Sequence, residues 1–338
     1  KWEKVSNMSI GIDWSLFSNK INGTFEWYQK KTTDMVTNLD VPYENGVLSR
    51  SVNGGSMKNS GWDLSASFVP VKGKDWFLSC GVNIGQVDNK VNSMIEPNGS
   101  WQQLTSGNVS QKGYPVSSFW AFRYTGLNPE HGGPEFDLSG CEGSYKEDAT
   151  LYMKHVGKID PDFNAGINLT LRYKTFSLST GLYLSTGNQT FLASPTAGMV
   201  QNIPSEYRNM STEWLKRWRK PGDELHTNVP ALPNMANNAQ PIKISTVGTT
   251  VNFYPYEMYG YSDIRVVDAW YLRCGNINMS YTFPAKFLPK AIRNLSLNAS
   301  ITNPFVIHSS DFKGRDPEVA LGQQPLQHTV TFGLNMSF

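Results

Sequence analysis

Residues 328–338, HTVTFGLNMSF, alternate between apolar and small polar side chains over their whole length. Val330, Phe332, Leu334, Met336 and Phe338 share one parity, and Thr329, Thr331, Gly333, Asn335 and Ser337 share the other. Successive side chains of a strand point to opposite faces, so this stretch can set one face in oil and the other in water. An alternating strand that ends in an aromatic residue fits the wall of a membrane-spanning β-barrel, where apolar groups face lipid and polar groups face the interior.

The same pattern recurs upstream. Residues 5–17 put Met8, Ile10, Ile12, Trp14 and Leu16 on one face; the turn at 18–23 returns the chain through Phe25 and Trp27 to Met35. Residues 57–69 carry Trp62, Leu64, Ala66 and Phe68 in phase, and PVKGKD at 70–75 turns them into a strand through Leu78, Cys80, Val82 and Ile84. Ile167, Leu169 and Leu171 alternate with Asn168, Thr170 and Arg172, and YKTF leads into Phe176, Leu178, Leu182 and Leu184. Segments 270–283, 294–305 and 328–338 complete nine strands.

Their connections alternate in length. The short ones are 18–22, 70–75, 173–176 and 284–293; the long ones are 37–56, 88–162, 188–268 and 306–327. Outer-membrane barrels have short periplasmic turns and long extracellular loops, and with a periplasmic C-terminus every short connection here falls on the periplasmic side. A soluble β-sandwich would alternate in the same way but has no reason to keep all its long loops at one end. The segment 113–126 reads as a further strand; crossing alone it would invert the count, so it is expected to pair within the 88–162 excursion or to cross with a partner. Nine strands cannot close a barrel of even strand number, and an open edge in lipid leaves backbone groups unpaired. The expectation is therefore a partial barrel whose remaining strands lie in sequence upstream of this chain.

Composition agrees. Of 338 residues 12% are aromatic and only 17% charged, against about 25% charged in ordinary soluble domains. No run reaches the roughly 18 apolar residues of a membrane-spanning helix, which a barrel does not need. A net charge of +2 without a basic stripe argues against nucleic acid. Cys80, Cys141 and Cys274 fit no metal-ligand spacing, so neither a disulfide nor a metal site is expected. His131, His155, His226, His308 and His328 are scattered, with no nucleophile at useful spacing, and no enzymatic site or cofactor is expected. Asp311, Asp316 and Glu318 are oxygen donors of the kind a hard cation takes, although a solvated loop is the plainer reading. Residues 209–223, NMSTEWLKRWRKPGD, read as a short helix capped by Ser211 or Thr212 and ended by Pro221 and Gly222. Its Trp214, Leu215 and Trp218 cover either their own loop or a partner.

Eight segments, in order, resemble one family: KINGTFEWYQKKTTDM at 20–35, GGSMKNSGWDLSASFVP at 54–70, GYPVSSFWAFRYTGLNPEHGGPEF at 113–136, IDPDFNAGINLTLRYKTFSLSTG at 159–181, RWRKPGD at 217–223, YLRCGNINMSYTFP at 271–284, NASITNPFVI at 298–307 and KGRDPEV at 313–319. Together they are similar to the C-terminal part of the SusC/RagA class of TonB-dependent outer-membrane transporters of Bacteroidetes. The resemblance implies an all-β protein, the last strands of a barrel of about 22, with a plug in its lumen, a SusD/RagB-like surface lipoprotein as its lid and the TonB complex as its energy source. It implies import of an oligomeric glycan or peptide; a passive porin and a soluble binding module are the alternatives. Candidate cargo contacts are the loop residues Asn98, Trp101, Gln102, Phe119, Trp120 and Tyr124, and candidate lid contacts are Trp214 and Trp218. Ile167, Leu169, Leu171, Val330, Phe332, Leu334, Met336 and Phe338 are expected to face lipid.

Overall fold

The computed structural model describes residues 2–95, 99–142, 148–195, 211–234, 241–246, 249–312, 315–319 and 323–338. Nine strands form one antiparallel sheet in chain order: Lys4–Leu16, Ile21–Asp40, Ser49–Lys72, Trp76–Ser93, Phe163–Tyr173, Phe176–Thr186, Tyr271–Thr282, Asn294–His308 and Thr329–Ser337. They are called the first to ninth strands below. Tight turns at 17–20, 73–75 and 174–175 and a longer link at 283–293 join them at one end; every excursion leaves from the other.

Register carries the two-faced pattern across the sheet. Leu16, Ile21, Phe68, Cys80, Leu169, Thr180, Ile277, Ile301 and Val330 form one row, each paired with the next. Seven of the other eight are hydrocarbon side chains and Cys80 is a small apolar group, so Thr180 alone interrupts the apolar character. The adjacent row is Ser15, Asn22, Ser67, Gly81, Asn168, Gly181, Asn276, Thr302 and Thr329, without a hydrocarbon side chain among them. A slip of one residue in any strand would mix the two faces.

The apolar face packs against no second sheet. Ile10, Ile12, Leu169, Val330, Leu334, Met336 and Phe338 are exposed, and Phe332 is 81% exposed. A sandwich would have buried them. Phe163 and Tyr173 lie at the two ends of the 11-residue fifth strand on this face. At about 3.3 Å per residue and a tilt of about 40° they stand roughly 25 Å apart along the membrane normal, the height of a barrel's apolar band. Trp76 and Tyr173 stack with centroids 4.3 Å apart at the tight-turn end, and Phe25, Trp62 and Phe163 form a second aromatic group toward the other. No helix among the described residues is long and apolar enough to cross a membrane.

The strands outrun the sequence reading. The second and third have 20 and 24 residues, where about 9–11 suffice to cross a membrane. The connection expected at 37–56 therefore shrinks to 41–48. Pairing continues past the last apolar alternation through irregularities at Thr32/Met35 and Met35/Val36, and hydrogen bonding alone leaves no hydropathy signal. The fourth strand likewise runs to Ser93 rather than ending at 87.

The segment 113–126 pairs within its excursion. Its strand, Ser118–Leu127, lies between Pro134–Asp137 and Met153–Lys158 in a separate three-stranded sheet. The helix expected at 209–223 is instead two short 3-10 turns, Thr212–Lys216 and Asp223–Leu225, with Ser211 capping the first by accepting from the Glu213 amide. Extended backbone at Arg217 ends the first turn before a second can form.

Candidate functional site

Two excursions build one body above the sheet. The first supplies helix Trp101–Thr105, closed by a reciprocal Ser100/Gln103 capping box, and the three-stranded sheet. The second supplies the hairpin Ile242–Thr246/Thr249–Phe253 and helix Pro255–Gly260. Trp101, Leu104, Trp120, Phe122, Tyr152 and Met153 from the first pack with Val251, Phe253 and Met258 from the second into a single core. The backbone joins them too: the Phe122 amide donates to Tyr261 O at 2.9 Å and the Tyr124 amide to Asp263 Oδ1 at 3.2 Å. This body sits on the polar face of the fourth strand. Val91 and Tyr114 share a backbone hydrogen bond of 2.9 Å, and the Val116 amide donates to Asn89 Oδ1 at 2.7 Å.

Beneath the body the polar face is lined by amides and hydroxyls. One cavity of about 220 Å³ is bordered by Ser177, Ser179, Asn278, Ser300 and Thr331. Another, of about 490 Å³, is bordered by Glu26, Asp63, Asn83, Asp162, Asn164 and Tyr183, whose hydroxyl donates to Asn164 Oδ1 at 2.8 Å. Asp13, Asp63 and Arg172 point to this side, as their parity predicts. Such a surface is rich in hydrogen-bond donors and acceptors, with carboxylates of Glu26, Asp63 and Asp162 among them.

The loop residues singled out from sequence divide. Trp101, Phe119 and Trp120 are buried: two belong to the body's core and Phe119 packs edge-on against Phe191 at 5.0 Å. Gln102 is exposed, and Asn98 lies outside the described residues. Tyr124 is half-buried, its hydroxyl enclosed with no hydrogen-bond partner among the described residues. Burial, then the neighbouring Tyr259 and Glu135, holds that hydroxyl's pKa above the ordinary phenol value.

Trp214 and Trp218 are buried, Trp218 in a cluster with Leu127 of the first excursion and Ala231 of its own. Their indole N–H groups donate to Pro195 O at 3.0 Å and Glu224 Oε2 at 2.9 Å. Trp218 covers Gly132, which has φ +66°, so a side chain there would meet both a forbidden backbone and the ring. Leu215 and Leu225 carry the exposed apolar surface of this segment, at 70% and 79%. The helical spacing that put Leu215 beside the two rings failed with the helix.

Two charged constellations escaped the sequence reading. Arg265 is buried, donating to Glu213 Oε2 at 2.6 Å and to Ala193 O, with its guanidinium 5.7 Å from the Tyr259 ring centre. Arg273, at the excursion end of the seventh strand, binds two of the three carboxylates of the last excursion: Asp316 at 2.5 Å, and Glu318, which also accepts from Tyr271 Oη at 2.7 Å. Asp316 and Glu318 thus pair with an arginine, while Glu318 and Asp311 stay exposed to solvent. No metal-holding group of three appears among the described residues. The sequence signal was only the rarity of charge, which names residues but not partners.

His155 packs between Tyr114 and Trp120, with centroids at 4.5 and 5.2 Å, and its Nε2 is buried with no hydrogen-bond partner among the described residues. Burial lowers its pKa below the usual 6.5, opposed in part by a backbone hydrogen bond at Gly157. The unfolded chain takes up this proton more readily than the folded one, so the body loses stability as pH falls through 6.5 toward the lower folded value. Amide protection across 114–123 and 153–158, taken relative to the intrinsic exchange rate at each pH, is expected to fall between pH 7.5 and 5. His155→Phe removes that fall; if the variant keeps it, the group responsible is another.

A single sheet with one hydrocarbon face, one polar face and all its long excursions at one end is a segment of a transmembrane β-barrel wall. Solved structures share the fold: that of the RagAB peptide transporter aligns over 100% of this chain and 36% of its own at a TM-score of 0.71, and the RagAB peptide importer in its "open-open" state at 0.73, each at 22% identity. Among curated proteins, TonB-dependent receptor P3 of Formosa agariphila is 24% identical and TonB-dependent receptor SusC of Bacteroides thetaiotaomicron 25% identical, each over the whole of this chain. No family model matches it. These relatives bear out the resemblance to SusC-like transporters and, with it, the reading of a chain that is not an enzyme. The chain spans about a third of the length of the curated relatives it matches, 34% and 32%.

Proposed function

We propose that this chain forms part of the wall and mouth of an outer-membrane barrel that imports an oligomeric nutrient, glycan or peptide, under a SusD/RagB-like surface lipoprotein and with energy from the TonB complex. The observation that supports it most is the row of polar residues crossing all nine strands behind the hydrocarbon face, capped at one end by a body of two interlocked excursions. That arrangement gives lipid one side, an aqueous path the other, and a folded structure at the entrance. The eight SusC/RagA-like segments and the relatives named for TonB-dependent reception and peptide import support nutrient import as the role. The first and ninth strands each pair on one side only. The rest of the barrel is proposed to close on those two edges, with a plug filling the lumen.

Within this reading Gln102 stands at the surface of the body and is proposed to meet cargo. Trp101, Phe119, Trp120 and Tyr124 shape the body that presents it. Leu215 and Leu225 join Trp214 and Trp218 as the segment offered to the lid. The test is uptake of labelled oligosaccharides and oligopeptides by cells carrying the full-length transporter. Uptake is expected to stop when TonB is deleted; uptake that continues unchanged would identify a passive porin.

A further inference from the structure

Lys31, Lys58 and Lys90 stand directly opposite one another on the second, third and fourth strands, Lys31 paired with Lys58 and Lys58 with Lys90. All three are exposed, and no carboxylate lies within 4 Å of any of them among the described residues. Like charges directly opposite on a sheet cost stability. Three in one row therefore ask for an anion.

Parity fixes the side. The lysines are in phase with Trp27 and Trp62, four residues nearer the apolar band, and these two rings pair across the same strands. Trp62 donates to Gln86 Oε1 at 2.8 Å and meets Phe25 and Phe163 at 6.2 and 6.5 Å, closing an aromatic collar. On the opposite face at the lysines' height, Thr32 and Val91 are buried, and Val91 lies against the body through Tyr114. The row thus faces away from the lumen. At about 3.3 Å per residue and a tilt of about 40°, Lys58 stands about 10 Å beyond Trp62 along the membrane normal. That is the depth of the headgroups, on the side from which the excursions leave.

We propose that the Lys31–Lys58–Lys90 row binds the phosphate of an anionic lipid headgroup in the outward leaflet, an inference that rests on the sheet being a membrane wall. A lipid satisfies both halves of the surface: its phosphate neutralises the row, and its chains run down over Trp27, Trp62 and the apolar band. Free phosphate gains only the first half. Asp88, paired with Ser60 in the row between the lysines and Trp62, keeps an anion up at the lysines.

The test uses the purified full-length transporter in neutral detergent and native mass spectrometry with dioleoyl phosphatidic acid, dioleoyl phosphatidylcholine or inorganic phosphate. Wild type retains phosphatidic acid in preference to phosphatidylcholine. Each lysine near a charged lipid surface is worth about five-fold, so Lys58→Gln weakens retention about five-fold and the triple Lys31→Gln, Lys58→Gln, Lys90→Gln variant about 100-fold. The triple arginine variant keeps it. In lipid-free detergent the triple glutamine variant melts higher than wild type, because the repulsion is gone; a merely structural row would melt lower. Equal retention by wild type and glutamine variants, or inorganic phosphate binding as tightly as phosphatidic acid, overturns the proposal. Insertion into vesicles is scored separately by heat-modifiable gel mobility. Inserted protein without lysine-dependent retention sinks the lipid site alone, whereas wild type that does not insert sinks the membrane reading with it.

Discussion

Replacing Arg265 by methionine is expected to unravel the body of the two excursions while leaving the sheet in place. The guanidinium lies almost wholly out of water, with its charge met by Glu213 and its second nitrogen by the Ala193 carbonyl. Methionine fills much of the volume but takes the guanidinium away from the Glu213 carboxylate. Removing one partner of such a pair costs about 3–5 kcal/mol, because the remaining charge is desolvated without compensation. The loss falls where the pair sits, between residues 213 and 265 and the strand Ser118–Leu127 that packs on Asp263. Limited proteolysis of the inserted protein is expected to cut between 101 and 265 at least ten times faster, with the sheet's protection unchanged. Arg265→Met with Glu213→Leu, which removes both charges, recovers most of the resistance. Equal sensitivity of the single and double variants would show that packing against Tyr259, rather than charge, holds this region.

Arginine at Phe332 is expected to lower assembly several-fold. Phe332 is paired with Ala299 on the eighth strand, and its row continues through Met279, Leu178, Leu171 and Leu78, all on the hydrocarbon face. An arginine on the lipid side of a strand costs about 2–4 kcal/mol at the bilayer midplane and about 0–1 near the interfaces; this row lies two residues inside Tyr173, so the cost is about 1–2 kcal/mol. Arginine at Thr331, one residue away on the polar face beside Ser300, should cost little, since water or polar groups meet it there. The comparison needs only the heat-modifiable fraction in membranes. If the two substitutions behave alike, the facing of the ninth strand is wrong, and with it the direction of all nine.

Much of this was legible in the sequence, for a physical reason. A sheet between lipid and an aqueous lumen must alternate at nearly every residue, so Val330 to Phe338 and Ile167 to Leu171 announce both strand and face. The short turns were legible because the chain has few ways to reverse in two to four residues. Legibility ended where the two-solvent constraint ended. Beyond the band the second and third strands keep pairing with mixed side chains on both faces, so Val36 to Asp40 read as loop. In the excursions an ordinary compact core decides the outcome. Trp101 and Trp120 looked like surface aromatics awaiting cargo because sequence spacing cannot show that Phe253 and Met258, more than a hundred residues later, close over them. Arg273 drew no notice because its partners Asp316 and Glu318 lie 43 and 45 residues further on, in the last excursion.

The body's shared core has a mechanical corollary. Its two excursions spring from the fourth, fifth, sixth and seventh strands, four consecutive staves of the wall, and they exchange aromatic side chains and backbone hydrogen bonds across their boundary. Close-packed interiors yield by shifting as units rather than by flowing. A push on the rim at 101–105 therefore reaches 251–260 as one displacement, and the two excursions respond as a single piece.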